Sequence, residues 1–218
     1  MTASSRLQRR DLPSIYAIAD AEALGSVRLS DAVAQMSAAG ITWVQLRAKF
    51  HGDAALCAEV AAIVAAEHRH LTLWINDRPD IVALYGAPGV QLGQDDLPPS
   101  AARRVVGERC WIGQSTHDLD QLRAADRDPD VDLIALGPVF ATSGKENPDP
   151  VVGLAALREA RSLTDKPLVA IGGLEETNLA EVWDAGADSA VLLSAFCVGD
   201  IDANCRRIRA VETVRVSG

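Results

Sequence analysis

Aromatic residues are scarce, at 4% of the 218-residue chain, too few for the stacking surfaces that bind single-stranded nucleic acid. Excess positive charge is missing too. The 30 Asp and Glu outnumber the 21 Lys and Arg, and the net charge of −9 argues against nucleic acid or an anionic membrane as a global partner. A small anionic substrate stays open, because a few clustered cations can reverse the field locally. The four cysteines, Cys57, Cys110, Cys197 and Cys205, form no CxxC pair and no zinc-type Cys/His spacing, so they read as reduced, small hydrophobes. No apolar run approaches membrane-spanning length. Residues 1–14 carry Arg6, Arg9 and Arg10 without an apolar stretch, so they read as a polar N-terminal extension, and a cytoplasmic setting is expected. No credible Ser-His-Asp or Cys-His set is visible, and no GxGxxG follows the first strand.

What is present is alternation. Short β-prone runs at Ile15–Ala19, Trp43–Leu46, Leu71–Ile75, Gly89–Leu92, Trp111–Gly113, Leu133–Leu136, Leu168–Ile171 and Ala190–Leu193 are separated by segments with helical apolar spacing. Ser30-Asp31, Ser100 and Thr177-Asn178 offer helix caps, and Gly40 and Gly186 offer helix stops. The stretch Ala141–Val152 is too rich in Pro, Gly and Asn to be regular, and its place after the sixth strand suggests a loop that closes over ligand. Strands alternating with helices predict an α/β fold with parallel strands, a single (β/α)8 TIM barrel over residues 15–218. A doubly wound open sheet is the alternative.

Polar residues gather at the strand ends, which in a barrel converge on one mouth. Gln45, Arg47 and Lys49 share one face at the end of the second strand. Asn76 and Asp77 end the third, Gln94, Asp95 and Asp96 follow the fourth, and Ser115, Thr116 and His117 the fifth. The sixth leads into Thr142, Ser143, Gly144 and Lys145, the seventh into Gly172-Gly173 and the eighth into Leu193 and Ser194. Arg47, Lys49 and Lys145 suit anionic groups, and Asp77 with Asp96 suits Mg²⁺, which takes one or two carboxylates plus substrate phosphates. Gly172-Gly173 with the backbone after Leu193 matches the phosphate site that barrels form after strands seven and eight. Each feature has a plainer reading. The cations could pair with nearby carboxylates, Asp77 could cap the helix at Pro79, the glycines could make a tight turn, and His117 could orient a loop.

Taken in order, Tyr16–Asp20, Val44–Lys49, Trp74–Arg78, Val90–Pro98, Ile112–His117, Leu136–Thr142, Val169–Gly173 and Ala185–Asp188 resemble the thiamine-phosphate synthase family from about Ile15 to Phe196. The last two segments are common to many phosphate-binding barrels, whereas the Gln-x-Arg-x-Lys, Asn-Asp, Gly-Gln-x-Asp and Gly-Pro-Val-Phe set is specific. The resemblance implies condensation of 4-amino-2-methyl-5-hydroxymethylpyrimidine diphosphate with a thiazole phosphate, releasing pyrophosphate through a dissociative step. It assigns Gln45, Arg47, Lys49, Asn76, Ser115 and Lys145 to the pyrimidine diphosphate, with Arg47, Lys49, Ser115 and Lys145 taking the catalytic part. Asp77 and Asp96 would hold Mg²⁺, while Thr142, Ser143, Gly144, Gly173, Leu193 and Ser194 would meet the thiazole phosphate. It also implies a homodimer. Three positions depart from the family pattern: Ala48 for Glu, Gln91 for His and Gly144 for Thr. A thiazole tautomerase or a non-catalytic phosphate-binding barrel are the competing readings.

Overall fold

A computed structural model describes residues 7–68, 70–141 and 150–216. Eight parallel strands close in sequence order into a barrel: β1 (Ile15–Asp20), β2 (Trp43–Arg47), β3 (Thr72–Asn76), β4 (Gly89–Leu92), β5 (Trp111–Thr116), β6 (Leu133–Leu136), β7 (Leu168–Ile171) and β8 (Ser189–Leu192). The outer ring comprises α1 (Ala21–Leu24), α2 (Leu29–Ala38), α3 (Asp53–Ala65), α4 (Pro79–Tyr85) and α5 (Pro99–Val106). It continues with α6 (Leu119–Arg127), α7 (Gly153–Leu163), α8 (Leu179–Asp184), α9 (Ser194–Cys197) and α10 (Ile201–Val216). The open-sheet alternative is excluded, since β1 pairs with both β2 and β8. No helix among the described residues is long and apolar enough to cross a membrane.

Period-2 alternation sorts each strand. Ile15, Ala17, Ala19, Val44, Leu46 and Ile75 pack outward against the helices, while Tyr16, Ile18, Trp43, Trp74, Leu133, Val169 and Val191 fill the interior. Three of the four tryptophans meet there. Trp43 lies 5.5 Å from Trp74 and stacks on Trp111 at 5.9 Å between ring centroids. Such bulk needs empty space beside it: a Cβ on Gly89 would sit 2.4 Å from the Trp74 ring, so glycine there is a packing requirement.

The floor of the barrel is closed by two matching clasps. Asp132, just before β6, accepts from Arg103 of α5 at 2.7 Å and from the Ile112 amide of β5 at 3.0 Å. Asp188, just before β8, accepts from Arg161 of α7 at 2.8 Å and from the Leu168 amide of β7 at 2.9 Å. Each clasp ties a helix, a strand and the start of the next strand to one carboxylate. The chain ahead of β1 joins this floor. Leu7 is buried in the interior cluster, and Arg9 donates to Asp188 at 2.7 Å, so the packed structure begins before Ile15.

Helix ends differ from the sequence expectation. Arg28, not Ser30, precedes α2, and the Ser30 amide is capped at 2.8 Å by Glu59 from α3. Pro98 rather than Ser100 is the N-cap of α5. Asn178 does precede α8, but its side chain accepts from the Glu175 amide instead of capping the helix. Asp20, Asp118 and Asp200 act as side-chain caps, accepting at 2.9 Å, 2.7 Å and 3.0 Å. Gly40 and Gly186 stop their helices with φ of 86° and 105°.

Candidate active site at the barrel mouth

Because β2 keeps its alternation to the end, Gln45 and Arg47 both turn into the barrel, one layer apart. Gln45 is buried and donates through Nε2 to the Tyr16 hydroxyl at 2.6 Å. Burial pushes the Tyr16 phenol well above its ordinary range, so it stays protonated. Arg47 pairs with buried Asp20 and reaches Glu22 at 3.5 Å. Lys49, just beyond the strand, lies 3.7 Å from Asp77. The plainer reading of these cations, pairing with carboxylates, is thus realised, and it fixes both at the rim.

Asp77 does not cap α4, whose N-cap is Arg78 without a side-chain capping bond. It takes a left-handed backbone, φ 63°, a conformation that Asp tolerates better than most side chains. Its amide bonds the Gln91 carbonyl at 2.8 Å, which holds the turn and swings the carboxylate over β4. There it meets Asp96, whose own carboxylate accepts from the Gly93 amide at 2.6 Å. Burial, followed by the hydrogen bond and the charge of Asp96, pushes the Asp77 carboxyl up to about 6, against the lowering pull of Lys49 and Arg47. Two acidic groups in contact need a proton or a cation between them. Among the described residues no cluster of three or more His, Cys, Asp or Glu ligands forms, so this pair stands by itself. Asp95 is exposed.

On β5, Ser115 faces inward and its hydroxyl accepts from Gln91 Nε2 at 3.0 Å, while Thr116 faces outward and donates to the Ala135 carbonyl at 2.9 Å. His117 Nδ1 is 2.8 Å from the Gly137 carbonyl, which anchors the loop after β5. Asn76 sits at the end of β3, in register with Gln91. Thr142, Ser143, Gly144 and Lys145 lie outside the described residues. Their stem is at the mouth, because the Val152 amide returns to the Pro138 carbonyl at 2.9 Å.

Gly172 and Gly173 have φ of 92° and 67°, and a Cβ on either would meet Pro138, Phe140 or Ala141 within 2.7 Å. Chain packing therefore demands both glycines. Leu193 is the N-cap of the short α9; its carbonyl accepts from the Phe196 and Cys197 amides at 3.0 Å, which leaves the Ser194 and Ala195 amides without an intrahelical acceptor. Gly173, Leu193 and Ser194 thus stand on adjacent connections, as expected.

Sequence reasoning missed Asp20 and Tyr16, which hold Arg47 and Gln45 from β1. The strand-end rule applied to β1 would have found Asp20. Two cavities, of about 530 Å³ beside Leu7 and Lys166 and about 420 Å³ beside Leu71 and Tyr85, lie away from the mouth. The converging polar side chains outweigh cavity size in locating the site.

Known proteins resemble this chain over most of its length. The family described as thiamine monophosphate synthase matches residues 15–196. The thiamine-phosphate synthase of Koribacter versatilis (strain Ellin345) is 44% identical over 191 residues, covering 86% of this chain and 90% of the relative. That of Albidiferax ferrireducens is 39% identical over 185 residues, 84% of each chain. The solved thiamine phosphate pyrophosphorylase from Pyrococcus furiosus superposes with a TM-score of 0.83 at 26% identity, over 96% of this chain and 99% of that one. Residues 15–196, the match with these relatives and the shared barrel together make this chain a member of the thiamine monophosphate synthase family.

Proposed function

We infer that the protein is a thiamine-phosphate synthase, joining 4-amino-2-methyl-5-hydroxymethylpyrimidine diphosphate to a thiazole phosphate and releasing pyrophosphate. The family membership supports the reaction, and the contact of Asp77 with Asp96 beside Arg47 and Lys49 carries the site assignment.

In this reading Gln45, Asn76 and Ser115 hold the pyrimidine diphosphate from the barrel interior, with Arg47, Lys49 and Lys145 on its phosphates. The bond from the methylene carbon to the diphosphate oxygen breaks, its electron pair leaves with pyrophosphate, and the thiazole nitrogen attacks the carbon. The cations stabilise the departing charge, an electrostatic contribution that grows in the transition state. Arg47 is held in place for this by Asp20, and Lys49 by Asp77. The thiazole phosphate falls to Thr142, Ser143 and Gly144 together with the amides around Gly173, Leu193 and Ser194.

Asp77 and Asp96 would hold Mg²⁺. Their fit is chemical: adjacent carboxylates that repel each other when ionised are relieved by a hard divalent cation, and Mg²⁺ completes its shell with substrate phosphates. When bound, that ion neutralises diphosphate charge and eases departure of pyrophosphate.

The protein is further proposed to act in the cytoplasm as a homodimer. Its four free cysteines suit a reducing compartment. Exposed Val64, Leu84 and Val105 on α3, α4 and α5 provide apolar surface for self-association. Incubation with both substrates, with and without Mg²⁺, tests the main assignment. Equimolar thiamine phosphate and pyrophosphate, formed only with the metal, are expected. Thiazole isomerisation alone, or binding without turnover, would replace the reading with a tautomerase or a non-catalytic barrel.

A further inference from the structure

Gln91 is left without a role by these assignments, yet it is among the most constrained polar groups in the barrel. It points inward from β4 and is only 4% exposed. Its Nε2 donates to the Ser115 hydroxyl at 3.0 Å, while its Oε1 has no partner among the described residues. Room for the carboxamide is made by Gly113, whose Cβ would lie 2.2 Å from that oxygen. Three residues on, Gln94 donates to the Ser115 carbonyl at 2.5 Å. Ser115 is therefore held at both its backbone and its side chain by one connection.

A buried acceptor without a partner costs stability, and a nonpolar side chain of the same size would avoid that cost. The donor end accounts for the residue. A hydroxyl has one proton and two lone pairs, and accepting from Gln91 occupies the side facing β4. The Ser115 proton is then free to point away from β4, into the mouth. The reversed amide would accept that proton and bury its NH₂ against Gly113 and Trp74 with nothing to receive either hydrogen, so the donating orientation is the favoured one.

We propose that Gln91 is a positioning residue: it orients Ser115 as a hydroxyl donor toward the diphosphate of the pyrimidine substrate. This rests on the assignment of Ser115 to that substrate. An uncharged carboxamide supplies this donor whatever the pH, whereas an ionised carboxylate has no donor and a neutral imidazole donates from only one of its two nitrogens, set by its tautomer.

A double-mutant cycle with steady-state kinetics tests it, using Gln91→Met, Ser115→Ala and the pair, with Gln91→Glu as a same-shape variant that presents an acceptor. Each single change is expected to lower kcat about tenfold, the value of one oriented hydrogen bond, with the KM for thiazole phosphate unchanged. The double variant should be no slower than Ser115→Ala alone, and Gln91→Glu should be slower than Gln91→Met at pH 8. Multiplicative losses in the double variant, or wild-type kinetics in Gln91→Met, would overturn the proposal. If Gln91→Met fails to fold, the same cycle is run with Gln91→Glu. A wild-type protein that makes no thiamine phosphate would instead defeat the synthase reading, so the two failures are told apart.

Discussion

The floor and the mouth of this barrel use the same residue types in opposite ways. At the floor, Asp132 receives one arginine and one backbone amide, Asp188 receives two arginines and one backbone amide, and each stands before a strand. At the mouth, Asp77 follows a strand, carries a left-handed backbone and faces another carboxylate. The first arrangement satisfies its charges internally. The second offsets them only in part, through Lys49 at 3.7 Å and the Gly93 amide at 2.6 Å, and leaves the carboxylates opposed. Loops that follow the strands are free to depart from good local chemistry because loops that precede the strands hold the barrel shut. The asymmetry between paired and opposed carboxylates therefore separates stability from function in one molecule.

Breaking the floor should produce the largest effect. Burial already holds the Arg161 guanidinium below its ordinary pKa, so Asp188→Ala would strand a partly buried charge. A loss of about 3–5 kcal/mol is expected, read as a fall in Tm on the order of 10 °C. A shift of less than about 2 °C would show that the clasps do not hold the floor.

The mouth should respond in the opposite sense. Asp77→Asn removes one of two opposed carboxylates, and turnover should drop on the order of 100-fold, the scale for losing one electrostatic group at a reacting centre. Tm should hold or rise. A variant that is both active and destabilised would place Asp77 with the floor residues.

Between these lies the packed interior. Gly89→Ala would push a methyl into the Trp74 ring, which is fully buried among other tryptophans. Overpacking of this kind costs about 1–3 kcal/mol. Unchanged thermal unfolding would mean that the tryptophan stack can yield.

The smallest effect concerns pH. The Asp77 carboxyl lies at about 6 in the folded protein, above the ordinary carboxylate range near 4. The folded state thus holds its proton more tightly than the unfolded chain does, and ionisation opposes folding. Without metal, Tm should fall as pH rises from about 4 to about 6, with the loss complete above that window. Asp77→Asn should lack this component, and Mg²⁺ should restore stability above pH 6 by replacing the proton. Identical profiles for the two proteins would remove the basis for the carboxylate contact.

Much of this was legible in the residues themselves. Alternation of β-prone and helical segments was enough for the barrel, because strand and helix periods differ and eight repeats leave few topologies. β4, β6 and β7 have the expected bounds, and β5 runs three residues further. Helix caps were less legible. Glu59 caps α2 from α3, 29 residues away, and no local pattern encodes an acceptor brought in by packing.

By itself, then, the sequence determined the fold class, the family and which residue types converge at the strand ends, since those follow from local periodicity and motif order. Tertiary structure alone decided their electrical state. Asp77 and Asp96 are 19 residues apart in the chain, Arg47 and Asp20 are 27 apart, and Gln91 and Ser115 are 24 apart. Whether such groups pair, repel or orient one another depends on burial and separations of a few ångströms. Those distances are set by the closure of the barrel, which spacing along the chain does not reveal.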